Sequence, residues 1–198
     1  MSKQEYVTYG KPKVGGAVSI APIGTKAPTD AKAALDAAFK GLGYISEDGL
    51  VNSNTPEIST LKSWGGDTVL AMQTGKPDTF AYTLIEALNV DVMKQVYGGS
   101  NVTGTLETGI TIKANAKETE PNLVVIDMIL KNALKRIVIP HAQVITVGDI
   151  TYADESAVGY ETTIQAFPDS EGNTHFEYII SAENVQEASA PVNTEGGK

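Results

Sequence analysis

His141 and His175 are the two side chains in this 198-residue sequence best suited to general acid–base work or metal ligation. Neither has a partner at a metal-ligand spacing such as H-x-x-x-H or H-E-x-x-H, and both fall inside strand-like runs. They therefore read as surface or half-buried side chains. Asp149, Asp154 and Glu155 come close together in VGDITYADESA. Their oxygens could reach a Ca²⁺ ion, but the spacing is not that of an EF-hand loop and its turn glycine is missing, so the segment reads as a polar loop between strands. The chain has no cysteine, which removes disulfides, zinc–thiolate sites, iron–sulfur clusters and a thiol nucleophile. No G-x-S-x-G elbow is present, and no phosphate-binding glycine loop stands between a strand and a helix. Gly41-Leu42-Gly43 and Gly98-Gly99 read as helix stops instead. The expectation is a protein without catalytic, metal or cofactor residues.

Two residues stand out for contacts rather than chemistry. Trp64, the only tryptophan, sits in KSWGGD. It either packs on a close backbone in the core or plugs a neighbouring subunit, since tryptophan is enriched among interface anchors. Arg136, the only arginine, is either one more exposed cation or a bidentate partner for a neighbour's carboxylate. Charge is uneven as well. The net charge is −9, and between Arg136 and Lys198 there are ten carboxylates with no Lys or Arg. This is a poor footprint for gripping a nucleic-acid backbone. Its simplest reading is a solvated acidic surface.

The elements that must carry these residues are mostly strands. The chain has 17 Val, 16 Ile and 20 Thr against 11 Leu, a choice that suits a pleated sheet better than a helix. Strands are expected at Val14–Ile23, Asp67–Thr74, Thr79–Ala87, Asn122–Leu130 and Arg136–Val147, and the alternating run Val102–Ala114 reads as extended. Pro140 inside the last strand should mark an edge or a bulge. Gly75–Asp78 reads as a hairpin turn joining two of them. Ala157–Phe167 and Thr174–Ser181 read as a second hairpin around the turn signal PDSEGN. Two short helices are expected. One runs over Asp30–Lys40, after a cap at Thr29 or Asp30; the other lies within Leu88–Tyr97, where Leu88, Val92 and Val96 recur four apart. Ser46–Ser63 reads as a polar, turn-rich loop.

No stretch approaches the ~18 apolar residues that span a bilayer, and the first residues have no signal-peptide pattern, so a cytoplasmic start is expected and no membrane partner. Asn101-Val102-Thr103 matches a glycosylation sequon by chance in that setting. The organisation is an arm at residues 1–13, one mostly β domain at 14–181, and a flexible acidic tail at 182–198.

Several segments, in order, resemble the major tail tube protein of long-tailed, siphovirus-like bacteriophages. They are GGAVSIAPIGTKAPTD, LDAAFKGLGYISEDGL, KSWGGDTV, LIEALNVDVMKQVYG, and KRIVIPHAQVITVGDITYADESAVGYETTIQAFPD with the SEGN turn. The resemblance implies a β-sandwich or small barrel with one or two flanking helices, assembled as hexameric rings that stack into a hollow tube. It implies a virion-tail location after assembly in the host cytoplasm, with tail terminator, tape measure and tail-tip proteins as partners. DNA passes through the tube as cargo. A loop and terminal segments reach the next ring, with Ser46–Ser63 and Met1–Lys13 as candidates. Trp64 and Arg136 are then candidate interface anchors, and Asp149, Asp154, Glu155, Glu161 and Glu177 candidate lumen or surface carboxylates. The alternative is a β-sandwich ligand-binding or surface module, with an enzyme on a β scaffold as a third class.

Overall fold

The computed structural model describes residues 2–181; the expected tail at 182–198 lies outside them. A 3-10 turn at Gln4–Tyr6 leads into β1 (Gly10–Pro12), β2 (Val18–Pro22) and β3 (Lys40–Gly41). Then follow β4 (Ile45–Asn54), β5 (Glu57–Lys62), β6 (Thr68–Gly75) and β7 (Asp78–Leu84). The one α-helix among the described residues, α1 (Val90–Tyr97), precedes a 3-10 turn and the short β8 (Val102–Thr103) and β9 (Thr111–Ile112). The described residues end in β10 (Asn122–Leu130), β11 (Ala133–Val147), β12 (Tyr160–Ala166) and β13 (Phe176–Ser181). Nine strands form one antiparallel sheet with the path β3-β2-β10-β11-β12-β7-β4. On it, β1 extends beside the far half of β10 and β13 beside the first half of β11. The fold is mostly β, as expected, and among the described residues the sheet path ends at β3 and β4.

The β10–β11 hairpin is the spine. Val124 and Ile126 point into the main core with Phe80, Leu84, Val92, Ile137, Ile139 and Ile164. Leu123 and Val125 point the other way, into a second cluster with Val138, Leu35, Phe39 and Tyr178. A strand buried on both faces must read as an unbroken apolar run, which is why LVVI stands out in the sequence. Pro140 lies at a bulge: Val124 pairs with Ile139 but Asn122 pairs with Ala142. It also marks the point where β11 exchanges β13, paired up to Val138, for β12, paired from Ala142. A residue without an N–H is tolerated at such a change of partner.

The helix within Leu88–Tyr97 forms, shifted to Val90. Asn89 caps it by accepting from Asp91 N, and Gly98, at φ 91°, closes it by donating to Lys94 O. Val92 and Val96 are buried, as their spacing requires, whereas Leu88 lies outside the helix and is exposed. The helix expected over Asp30–Lys40 does not form. Asp30 Oδ1 accepts from the backbone of Lys32 and Ala33, and Asp36 Oδ1 accepts from Ala38 N, so both side chains build local turns. The carbonyls of Asp30 and Ala33, which a helix would need, accept instead from Arg136 Nη1 at 3.1 and 2.8 Å.

Three further expectations change. Ser46–Ser63 is strand, not loop, since β4 and β5 occupy it. Gly75–Asp78 is no hairpin turn, because β6 pairs with β5 and β7 pairs with β4 and β12. Likewise β12 and β13 do not pair with each other: both lie along β11, end to end. The run Val102–Ala114 shortens to the small β8–β9 ladder.

Arg136 is 1 % exposed and sits directly across the ladder from Asp127. Its Nε and Nη2 donate to the two carboxylate oxygens at 2.6 and 3.0 Å. The bidentate partner expected on a neighbour is therefore in the same chain. Lys13 Nζ reaches the same carboxylate at 3.2 Å from the segment after β1. Asp127→Asn should cost about 3–5 kcal/mol, because it leaves a buried guanidinium without its counter-charge; the urea midpoint of the purified protein measures this.

Candidate assembly surface

The strands β4 to β7 form one long hairpin in two tiers. At the base, β4 and β7 pair from Leu50↔Tyr82 to Asn54↔Asp78 within the main sheet. Beyond them β5 and β6 pair from Glu57↔Gly75 to Lys62↔Thr68 as a separate two-stranded ladder. Between the tiers lie Thr55-Pro56 on one strand and Lys76-Pro77 on the other. Two prolines at one level remove the donors that would continue the ladder. The turn at the tip is Ser63–Asp67, in which Ser63 N donates to Asp67 O and Gly66 N to Ser63 O. Gly66 has φ 91°, a conformation that a side chain disfavours.

Every residue from Thr55 to Thr74 is exposed. Six of them are large and apolar: Ile58, Leu61, Trp64, Val69, Leu70 and Met72. Leu61 faces Leu70 and Met72 faces Ser59 across the ladder, so three of these side chains share one face. Trp64, at the very tip, is fully exposed, which excludes the core position. An apolar hairpin standing in water is the signature of a surface made to be covered.

The base is fastened through Asp78, the first residue of β7, which is 1 % exposed. Its carboxylate accepts from Asn52 Nδ2 on β4 at 2.8 Å and from Thr174 Oγ1 at 2.6 Å. His175 Nδ1 lies 2.5 Å from it, and the imidazole stands edge-on to Phe80. Burial pushes this carboxyl up, but the three hydrogen bonds from Thr174, Asn52 and His175 outweigh it and hold the group below its ordinary value of 3.8. Nothing in the sequence signals this cluster, because its members are scattered between positions 52 and 175.

The other candidates spread over the molecule. Asp149, Asp154, Glu155, Glu161 and Glu177 are all exposed. Glu177 is engaged by Lys135 at 2.7 Å. His141 is exposed and tilts against Phe167. Among the described residues no three His, Asp or Glu side chains converge to hold a metal ion, and no helix is long and apolar enough to cross a membrane.

The face of β12, β7 and β4 turned away from the main core has its own character. Glu161 pairs with Thr83, Thr163 with Ala81 and Gln165 with Thr79, while Val51 and Ser53 continue the rows on β4. These three strands contain no Lys or Arg. The rows combine threonine, serine and glutamine with Ala81, Val51 and Glu161, and β4 also carries the exposed Glu47 and Asp48.

A folded β body, a neutral-to-acidic sheet face and an uncovered apolar hairpin together define a building block rather than a reaction vessel. The family model of the phage tail tube protein matches residues 12–191, and the chain belongs to that family. The family is structural and not catalytic, and it belongs to the virion tail, where its members assemble with other tail proteins. No curated protein matches the chain.

Two predictions follow from this geometry. Asp78→Asn should destabilise the fold by about 1–3 kcal/mol, since an amide cannot accept all three bonds. The pH dependence has a definite sign: a carboxyl held below its unfolded value stabilises above pH 3.8 and loses that contribution as pH falls through the folded value. Urea midpoints recorded from pH 7 to pH 3 should fall for the wild type, and the fall should shrink in Asp78→Asn.

Proposed function

We propose that this chain is the repeating wall subunit of a phage tail tube, six copies closing a ring and the rings stacking around a channel for DNA. The observation that carries this reading is the hairpin from Thr55 to Thr74, exposed along its whole length and bearing six large apolar side chains. In this reading the inter-ring element is the upper tier of the hairpin, which overlaps the candidate Ser46–Ser63 segment, with Trp64 as its anchor. The N-terminal arm Met1–Lys13 is the second contact segment. Open edges at β3 and β4 differ in length and sequence, so pairing between copies is head-to-tail, the kind of contact that closes rings or builds filaments. The tail terminator, tape measure and tail-tip proteins are the partners at the ends and within the channel.

The polar face of β4, β7 and β12 is the surface best suited to the lumen. DNA is held by cations that displace its counterions, and this face has none. Glu161 adds repulsion at short range, within a Debye length of about 8 Å. DNA would then slide past threonine and glutamine side chains without being gripped.

Negative-stain electron microscopy of the concentrated protein tests the tube: rings or hollow filaments are expected, and persistent monomers sink the reading. Trp64 supplies an internal probe, as the only tryptophan. Its emission should be that of a water-exposed indole in the monomer and shift to the blue on assembly. Trp64→Ala should leave monomer stability within about 0.5 kcal/mol while lowering the assembled fraction. Placing cations on the lumen face by Thr163→Lys with Gln165→Lys should give tubes that retain DNA in a salt-sensitive way. Retention of DNA by wild-type tubes would count against the lumen assignment.

A further inference from the structure

The described residues are segregated by charge along the β10–β11 spine. Lys11, Lys13, Lys32, Lys131 and Lys135 gather around the turn end of a chain whose net charge is −9. At the other end, after β11, the connection from Gly148 to Gly159 carries Asp149, Asp154 and Glu155 and no cation. Its root is fixed: Gly148 N donates to Glu161 O at 2.8 Å, and Ile150 packs against the main core. Tyr152, in the middle of the loop, is 74 % exposed. A rooted loop that presents one aromatic ring among carboxylates has the form of an interface anchor.

The turn end carries the opposite charge. A groove there is lined by Ala31, Ile129 and Leu134, with the Lys13 and Lys32 side chains beside them on the same face of the hairpin. Lys13 and Arg136 share the Asp127 carboxylate, and Lys135 reaches Glu177. On the groove face three cations, Lys13, Lys32 and Arg136, stand against two carboxylates, Asp30 and Asp127, so the groove stays positive, while Lys135 and Glu177 pair on the opposite face. Loop and groove lie at opposite ends of the fifteen-residue strand β11, about 45 Å apart along an extended chain. A subunit cannot fill its own groove across that distance, but an identical neighbour can.

We propose that the Asp149–Glu155 loop of one copy docks on the groove of the next, with Tyr152 on the apolar floor and Asp154 and Glu155 against the lysines. The contact is heterologous and therefore propagates in one direction. It rests on the tube reading above, and specifies a contact distinct from the hairpin. Its electrostatic part sets orientation and encounter rate as much as affinity.

The absence of cysteine makes disulfide trapping clean. Full-length protein carrying both Tyr152→Cys and Ile129→Cys, oxidised after assembly, should run as a ladder of linked subunits on a non-reducing gel. Assembled tubes that yield only monomer bands overturn this inference and leave the tube reading standing. Charge reversal on the native loop, Asp154→Lys with Glu155→Lys, is the second arm. It should weaken assembly by about tenfold at low salt without changing the monomer's thermal unfolding, and groove reversal by Lys32→Glu should restore part of it. A charge-reversed loop that assembles like wild type also overturns the docking. Wild-type protein that never forms rings or tubes overturns both readings together.

Discussion

The buried pair of Asp127 and Arg136 is the constraint on which the rest of this architecture hangs. It locks two strands at one rung, setting the register of the β10–β11 hairpin, and a slip of one residue in either strand would part the two charges and send that strand's side chains to the opposite face. The same guanidinium then directs its two Nη1 donors to Asp30 and Ala33, pinning the 26–39 segment over Leu123, Val125 and Val138. Lys13 approaches the shared carboxylate from the segment after β1. Three stretches far apart in sequence are thus held by one ion pair. Its desolvation is offset by a bidentate geometry and by carbonyls that fill the other guanidinium donors.

Around that anchor the molecule divides its labour. The main core, with Phe80, Val124, Ile139 and Ile164 fully buried, closes without help from the upper hairpin. That hairpin buries nothing against the body, and so is available to a neighbour. A subunit built this way can be a stable monomer and still carry the contacts of a polymer. The Asp78 cluster is where the two parts meet, tying the hairpin base to the segment ahead of β13.

What could be read from the sequence was what depends on neighbours along the chain. LVVI in β10, the bulge at Pro140, the glycine stop at Gly98 and the β-branched composition all carry their reasons locally. The misread elements depend on distant partners. Ala31 to Ala38 has helical propensity, but the carbonyls it needs are claimed by Arg136, a hundred residues later. Gly75–Asp78 and PDSEGN are genuine turn sequences, yet the strands they join pair elsewhere: β6 with β5, and β12 and β13 with successive halves of β11. The candidate site was half legible. Trp64 stands out by its rarity; that it sits at a hairpin tip follows only from the pairing of β5 with β6.

The interruption at Pro56 and Pro77 has a mechanical consequence. A two-stranded ribbon resists bending chiefly through its cross-strand bonds, and where these are missing its stiffness falls to that of two single strands. The upper hairpin is thus a lever on a compliant joint, mounted on a rigid body. In a stack of such subunits, curvature would be taken up at the joints, and the apolar contacts at the lever tips could stay seated. Two prolines would then set how far a long filament yields before its interfaces part.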